Sequence, residues 1–221
     1  MATRIGCLHA HYSNIAYIQN AIGSPDVDLM HFVDPGLIGR VTTDRGFSIE
    51  QAQNKVIEQL EWMAQCKVDA ILITCTNYIA LLDEGRLSTS LPIFKIDEPF
   101  FEAICAESGP QLLLFTNAAT VDGTMRRLQE YAEHHHKQLG TIESRVIENT
   151  FELFIQGNQE QYASEIADYI KKHQADGQAR MISVAQLSMV DAAEQVERDT
   201  GIAIGTPLKP LVSAITASVN K

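Results

Sequence analysis

Short apolar runs alternate along this chain with longer stretches of helical periodicity. The runs from Arg4 to His9, Val68 to Thr74, Gln111 to Thr116 and Arg180 to Ala185 predict buried strands. Between them, Ala52, Val56, Leu60 and Met63 keep one apolar stripe at helical spacing. Ser48 is placed as the N-cap of that helix, with Gln51 three residues on as its capping-box partner, and the helix is predicted to run to about Cys66. Further helices are predicted near Ala118 to Lys137 and near Gln159 to His173, the latter ending before Asp176-Gly177. Strands alternating with helices predict an α/β class built on parallel sheets.

The pattern also repeats at half the chain length. The segment Asp69 to Asp83, centred on Cys75, aligns with Arg180 to Glu194, centred on Gln186, at an offset of 111 residues. In both, an apolar strand reaches a polar elbow and enters a helix. Each half also opens with a strand leading to polar residues, Ile5 to Asn14 and Leu112 to Thr120. The repeat predicts two similar parallel-sheet α/β lobes related by a pseudo-twofold axis, with the active site between them. The expected lobes are residues 1–97 with 206–221, carrying Cys75, and residues 98–205, carrying Gln186.

Composition narrows the function. With 45% hydrophobic residues in 221, the chain can bury a sizeable core, which excludes disorder and fibrous repeats. A net charge of −11 repels phosphate backbones and anionic lipid, so neither nucleic acid nor a membrane surface is an expected partner. No apolar run approaches the roughly 18 residues of a membrane span, and the first residues turn polar at once. A cytoplasmic protein is expected. The four cysteines, Cys7, Cys66, Cys75 and Cys105, include no C-x-x-C pair and predict no disulfide framework. Nor is a metal expected at His134-His135-His136, because successive helical side chains point about 100° apart.

In parallel sheets ligands bind beyond the carboxyl ends of the strands. The strand-end residues here are His9 with Ser13 and Asn14, then Cys75-Thr76-Asn77, then Thr116-Asn117 to Thr120, then Gln186 to Ser188. Small hydroxyls and amides, with no Gly-rich nucleotide loop, suit a small carboxylate. Cys75 has polar company in Thr74, Thr76 and Asn77, and helix N-terminal N–H groups at its elbow are expected to lower its pKa from about 8.5 towards neutrality. Cys7, Cys66 and Cys105 are read as structural.

The Ile-Leu-Ile-Thr-Cys75-Thr76-Asn77 elbow, the half-length repeat, Ile96-Asp97-Glu98-Pro99 and the opening Ile5-Gly6-Cys-Leu-His9 resemble the aspartate/glutamate racemase superfamily, which includes hydantoin racemases, maleate isomerases and arylmalonate decarboxylases. The resemblance spans essentially the whole chain. It implies a cofactor-independent isomerase that binds a small carboxylic or amino acid, without metal or pyridoxal phosphate, commonly as a homodimer. Cys75 matches the family's first catalytic cysteine, and His9 stands where glutamate racemases have an acid assisting it, with a pKa near 6.5 suited to carrying a proton. Substrate-binding roles fall to Ser13, Asn14, Thr76, Asn77, Asn117, Thr120, Gln186 and Ser188.

One position departs from the pattern. Inverting a carbon takes a proton from one face and returns one to the other, yet the family's second cysteine is replaced by Gln186, whose amide can only form hydrogen bonds. The first reading is a racemase or isomerase with a single cysteine. Alternatives are a decarboxylase or lyase of a malonate-type acid protonated on one face, a cis–trans isomerase in which Cys75 adds to a double bond, and a carboxylate-binding protein without turnover.

Overall fold

The computed structural model describes residues 2–219. In chain order the elements are β1 (Thr3–His9), α1 (Asn14–Ile22), β2 (Val27–Val33), α2 (Gly36–Thr43), α3 (Ile49–Ala64), β3 (Ala70–Ile73), α4 (Thr76–Leu81), β4 (Ile93–Lys95), α5 (Asp97–Ala106) and β5 (Gln111–Phe115). They continue as α6 (Val121–His134), β6 (Ile142–Val146), α7 (Thr150–Ile155), α8 (Gln159–Gln174), β7 (Met181–Val184), α9 (Val190–Thr200) and α10 (Leu208–Val219). The chain divides into two compact units, residues 1–98 with 212–221 and residues 99–211, and passes between them inside α5 and α10.

In the first unit a parallel sheet runs in the order β2-β1-β3-β4. β1 and β3 are buried across Ile5, Leu8, Ile71, Leu72 and Ile73, as near-continuous apolar strands in a covered parallel sheet should be. The predicted helix over Ser48 to Cys66 is α3. Ser48 Oγ accepts from the Gln51 N–H at 3.1 Å and Gln51 Oε1 accepts from the Ser48 N–H at 2.8 Å, completing the capping box. Its stripe of Ala52, Val56, Leu60 and Met63 is buried, each larger side chain contributing roughly 1.5–3 kcal/mol of transfer free energy. Met63 reaches the sheet because Gly6 has no side chain: a Cβ there would meet Met63 Cε at 3.1 Å and Val68 Cγ1 at 3.3 Å. Ser48→Ala should cost about 1 kcal/mol, read as a lower urea midpoint with an unchanged slope.

In the second unit the parallel order is β6-β5-β7. One apolar cluster gathers Leu112 and Leu114 with Tyr162, Ile166 and Ile170 of α8 and Ala193 and Val196 of α9. Another sets Leu113 and Phe115 against Phe101, Ile104 and Leu128. β5 thus alternates its side chains between two cores.

The repeat is visible in these sheets. A central strand, β1 or β5, is flanked by the next strand and by the strand that ends at the elbow. It extends to a pairing that sequence periodicity did not reveal: Leu72 of β3 pairs with Phe94 of β4, and 111 residues later Ser183 pairs with Gly205 as an isolated parallel bridge. Gly205 is required there, since a Cβ would come within 2.9 Å of Ser183 Cβ. The other differences from expectation are local. The Ala118 to Lys137 helix is a 3-10 turn over Ala118–Thr120 followed by α6, which ends at His134, so the three histidines straddle a helix end. β2, β4 and β6 were not anticipated. Among the described residues, no helix is long and apolar enough to cross a membrane.

Candidate functional site

Both elbows form where an apolar strand runs out of ladder partners and turns into a helix. At the first, Cys75 has extended backbone, φ −127° and ψ 119°, as the N-cap of α4. It is half-buried, and Thr76 and Asn77 stand half-buried in the first turn behind it. The strand-end residues of β1 are tied to this elbow through Thr74: His9 Nδ1 lies 2.8 Å from Thr74 Oγ1, and Asn14 Nδ2 donates to the same oxygen at 3.4 Å. Ser13 stands apart from this set, with its hydroxyl on His11 Nδ1 at 2.7 Å.

The thiol's environment corrects one expectation. The Cys75 pKa is raised above the ordinary 9.0, first by burial and further by the negative charge of Asp97; the N–H groups of Asn77 and Tyr78 oppose this without prevailing. Neither N–H closes a hydrogen bond to Sγ of ordinary geometry, which is why the helix start does not win. Cys75 therefore rests as a thiol at neutral pH. It should alkylate at pH 7 more slowly than the same cysteine in denatured protein, and the rate should climb with pH past 9.0, which peptide mapping of iodoacetamide adducts can follow.

His9 is corrected as well. It is fully buried, with Nδ1 on Thr74 and Nε2 2.9 Å from His31 Nδ1. Burial, reinforced by His31, pushes its pKa down to about 4, so at pH 7 it is a neutral ring with both nitrogens engaged rather than a proton carrier.

At the second elbow Gln186 also has extended backbone and precedes a 3-10 turn over Leu187–Met189 that leads into α9. Its side chain turns inward. Gln186 Oε1 accepts from the Thr116 N–H at 2.7 Å, the Thr116 hydroxyl at 2.9 Å and the Asn117 N–H at 3.3 Å. The amide oxygen thus occupies the donor nest at the end of β5 and is not left for a substrate. Nearby, Ser188 Oγ and Tyr162 OH are 2.7 Å apart, and Tyr162 OH is 3.2 Å from Thr116 Oγ1. Thr120 donates its hydroxyl proton to Asn117 O at 2.8 Å, while Asn117 Oδ1 accepts from the Ala119 N–H at 3.0 Å. Of the two carboxylate donors expected in this loop, Asn117 keeps its Nδ2 hydrogens and Thr120 has committed its proton.

The structure therefore joins His9, Asn14 and the Cys75 elbow in the first unit, and Asn117, Thr120, Gln186 and Ser188 in the second. The sequence marks Thr74 and Thr116 as polar strand-end residues, but gives no sign of His31 or Tyr162, which connect with them. A cavity of about 240 Å³ lies at the other end of the second sheet, by Gln111 and Met181, and takes no part. Among the described residues, Cys7, His9 and His31 form one cluster with metal-ligating donors.

Two parallel α/β units of matching topology, each with a polar elbow after its third strand, define a duplicated fold with strand-end chemistry. The family model of Asp/Glu/hydantoin racemases matches residues 10–220, and the chain belongs to that family. Aspartate racemase from Picrophilus torridus superposes with a TM-score of 0.70 at 12% identity, covering 100% of this chain and 95% of that one. Allantoin racemase from Klebsiella pneumoniae gives 0.68 at 16%, covering 99% and 88%. An arylmalonate decarboxylase gives 0.60 at 14%, covering 98% and 92%. Compared by sequence alone, the chain matches no curated protein significantly.

Proposed function

We propose that this protein is a cofactor-independent enzyme of the racemase and isomerase type, acting on a small carboxylic or amino acid with Cys75 as its single proton-transferring or nucleophilic thiol. The observation that carries this reading is the half-buried thiol at the β3–α4 elbow, held protonated by burial and by Asp97. In that state Cys75 is an acid in waiting. Its S–H proton passes to a carbanionic carbon, and the thiolate left behind faces the N–H groups of Asn77 and Tyr78, whose effect favours that form, until solvent returns the proton. Thr76 and Asn77 are proposed as donors to a substrate carboxylate, Asn14 and Ser13 as further polar contacts, and the Asn117 amide as a substrate-binding donor of the second unit. His9 becomes a positioning residue that acts through Thr74. Racemisation then needs water or a substrate group to serve the other face.

Gln186 supports a second reading. With an amide rather than a thiol at position 186 and its oxygen held by Thr116 and Asn117, protonation from one face alone completes the decarboxylation of a malonate-type acid. There the C–C bond breaks, carbon dioxide leaves, the electron pair stays on the α-carbon and Cys75 supplies the proton. With Cys75 as the one proton donor, the product should be of a single hand.

Both readings are tested by incubating the protein in D₂O with D- and L-aspartate, D- and L-glutamate, hydantoins, maleate and aryl- or alkylmalonates, and following carbon-bound hydrogen by proton NMR. Exchange at an amino-acid α-carbon supports the first reading, and a deuterated monoacid of one hand supports the second. Saturable binding without exchange or conversion of any of them would favour a carboxylate-binding protein. Cytoplasmic location and a homodimer complete the proposal.

A further inference from the structure

The end of β1 and the facing part of β2 hold side chains to which the reaction above gives no proton-transfer step. Cys7 and His9 are two residues apart and share one side of β1, and the strand register sets His31 directly opposite Cys7. The sulfur of Cys7 and ring nitrogens of His9 and His31 all lie within 4.8 Å of one another. Cys7 and His9 are fully buried and His31 is half-buried.

The hydrogen-bond partners hold both rings in place. Thr74 Oγ1 lies 2.8 Å from His9 Nδ1 and 3.1 Å from Leu8 O, and when its one proton goes to the carbonyl it accepts from His9 Nδ1–H. Gln19 Oε1 accepts from His31 Nε2 at 3.2 Å, so that nitrogen carries one too. In that tautomer His9 Nε2 and His31 Nδ1 present their lone pairs to each other at 2.9 Å, beside the Cys7 sulfur. A cation that takes both nitrogens and the sulfur matches this tautomer. The hydrogen-bond partners of the two rings are Thr74, Gln19 and each other, with no carboxylate among them to pair with an imidazolium.

We infer that Cys7, His9 and His31 form a structural site for one thiophilic divalent ion of the zinc class, with Thr74 and Gln19 orienting the two imidazoles. A thiolate with two imidazoles is a donor set such ions select. Metal-binding histidines characteristically donate their outward N–H to a fixed oxygen, and here Thr74 Oγ1 and Gln19 Oε1 stand at hydrogen-bond distance to accept both. Binding replaces the Cys7 S–H bond by a sulfur–metal bond; the proton leaves to solvent and nothing changes oxidation state. Because His9 contacts Thr74, which precedes Cys75, the ion would brace the elbow through that contact.

The test uses the whole protein, stripped with a chelator and titrated with zinc alone and with cobalt(II) alone. The expected result is one ion per chain, with a thiolate-to-cobalt charge-transfer band that Cys7→Ser abolishes and Cys75→Ser retains. Gln19→Leu should weaken zinc binding about 10- to 100-fold. His31→Gln, at a half-buried position, should keep the far-ultraviolet circular dichroism of the parent and lose stoichiometric zinc, so the proposal stays testable if Cys7→Ser does not fold. Cobalt spectra unchanged in Cys7→Ser, zinc uptake unchanged in His31→Gln, or an imidazolium ¹⁵N signature without zinc uptake would each overturn it, the last by showing that a shared proton fills the gap.

Discussion

Cys75→Ser should lower turnover of whichever acid the protein converts by on the order of 10²- to 10⁴-fold, the usual contribution of one positioned proton-transfer group. The substitution is close to isosteric, and the N-cap position welcomes serine, so the fold should hold and any loss is chemical. Serine retains a hydrogen-bonding hydroxyl but is a far weaker acid than the thiol, which is already held above its ordinary pKa of 9.0. Substrate affinity should therefore change little while kcat falls. The pH profile adds a check. A thiol that acts as a proton donor is competent below its raised pKa, so a donor-limited kcat should be level through neutrality and decline only in the alkaline range. An unchanged kcat in the serine variant would remove Cys75 from the reaction, and a profile rising through pH 7–9 would mean that the thiolate is the working form.

What the sequence disclosed about this site follows from what is local. The Ser48–Gln51 capping box, the α3 stripe and the two elbows are patterns within a few residues, set by helix and strand periodicity, and they are found where expected. The partner of each elbow residue is not local. His31 lies on a strand whose seven residues are only partly buried, so β2 has no continuous apolar run to announce it. Its approach to His9 exists only once β1 and β2 pair in register. Tyr162 is sequestered by the packing of α8 on β5 and β7. Thiol acidity was misjudged for the same reason: the helix start is legible in the chain, whereas the burial that outweighs it and the charge of Asp97 belong to the folded unit.

Gln186 is the position where those two kinds of information diverge most, and its substitution should be the most costly for stability. In sequence it is a catalytic cysteine's replacement; in the structure it is the acceptor for two backbone N–H groups and a hydroxyl at the end of β5. Gln186→Leu keeps the volume and removes the acceptor. The buried Thr116 N–H then has no partner, at a cost of about 1–3 kcal/mol, read as a lower urea midpoint with an unchanged slope. Gln186→Glu, whose carboxylate can accept from the same three donors, should keep most of the stability, whereas an equally large loss would mean that the nest is not what Gln186 serves. Gln186→Cys separates the structural role from the chemical one. The shorter side chain abandons the nest and should cost as much stability as leucine, but it places a second thiol at the second elbow. If Gln186 has no part in the chemistry, that variant should lose stability while kcat on whichever acid the protein converts stays unchanged. A changed kcat would mean that the second elbow also serves the reaction, and that Gln186 is more than a clasp for the end of β5.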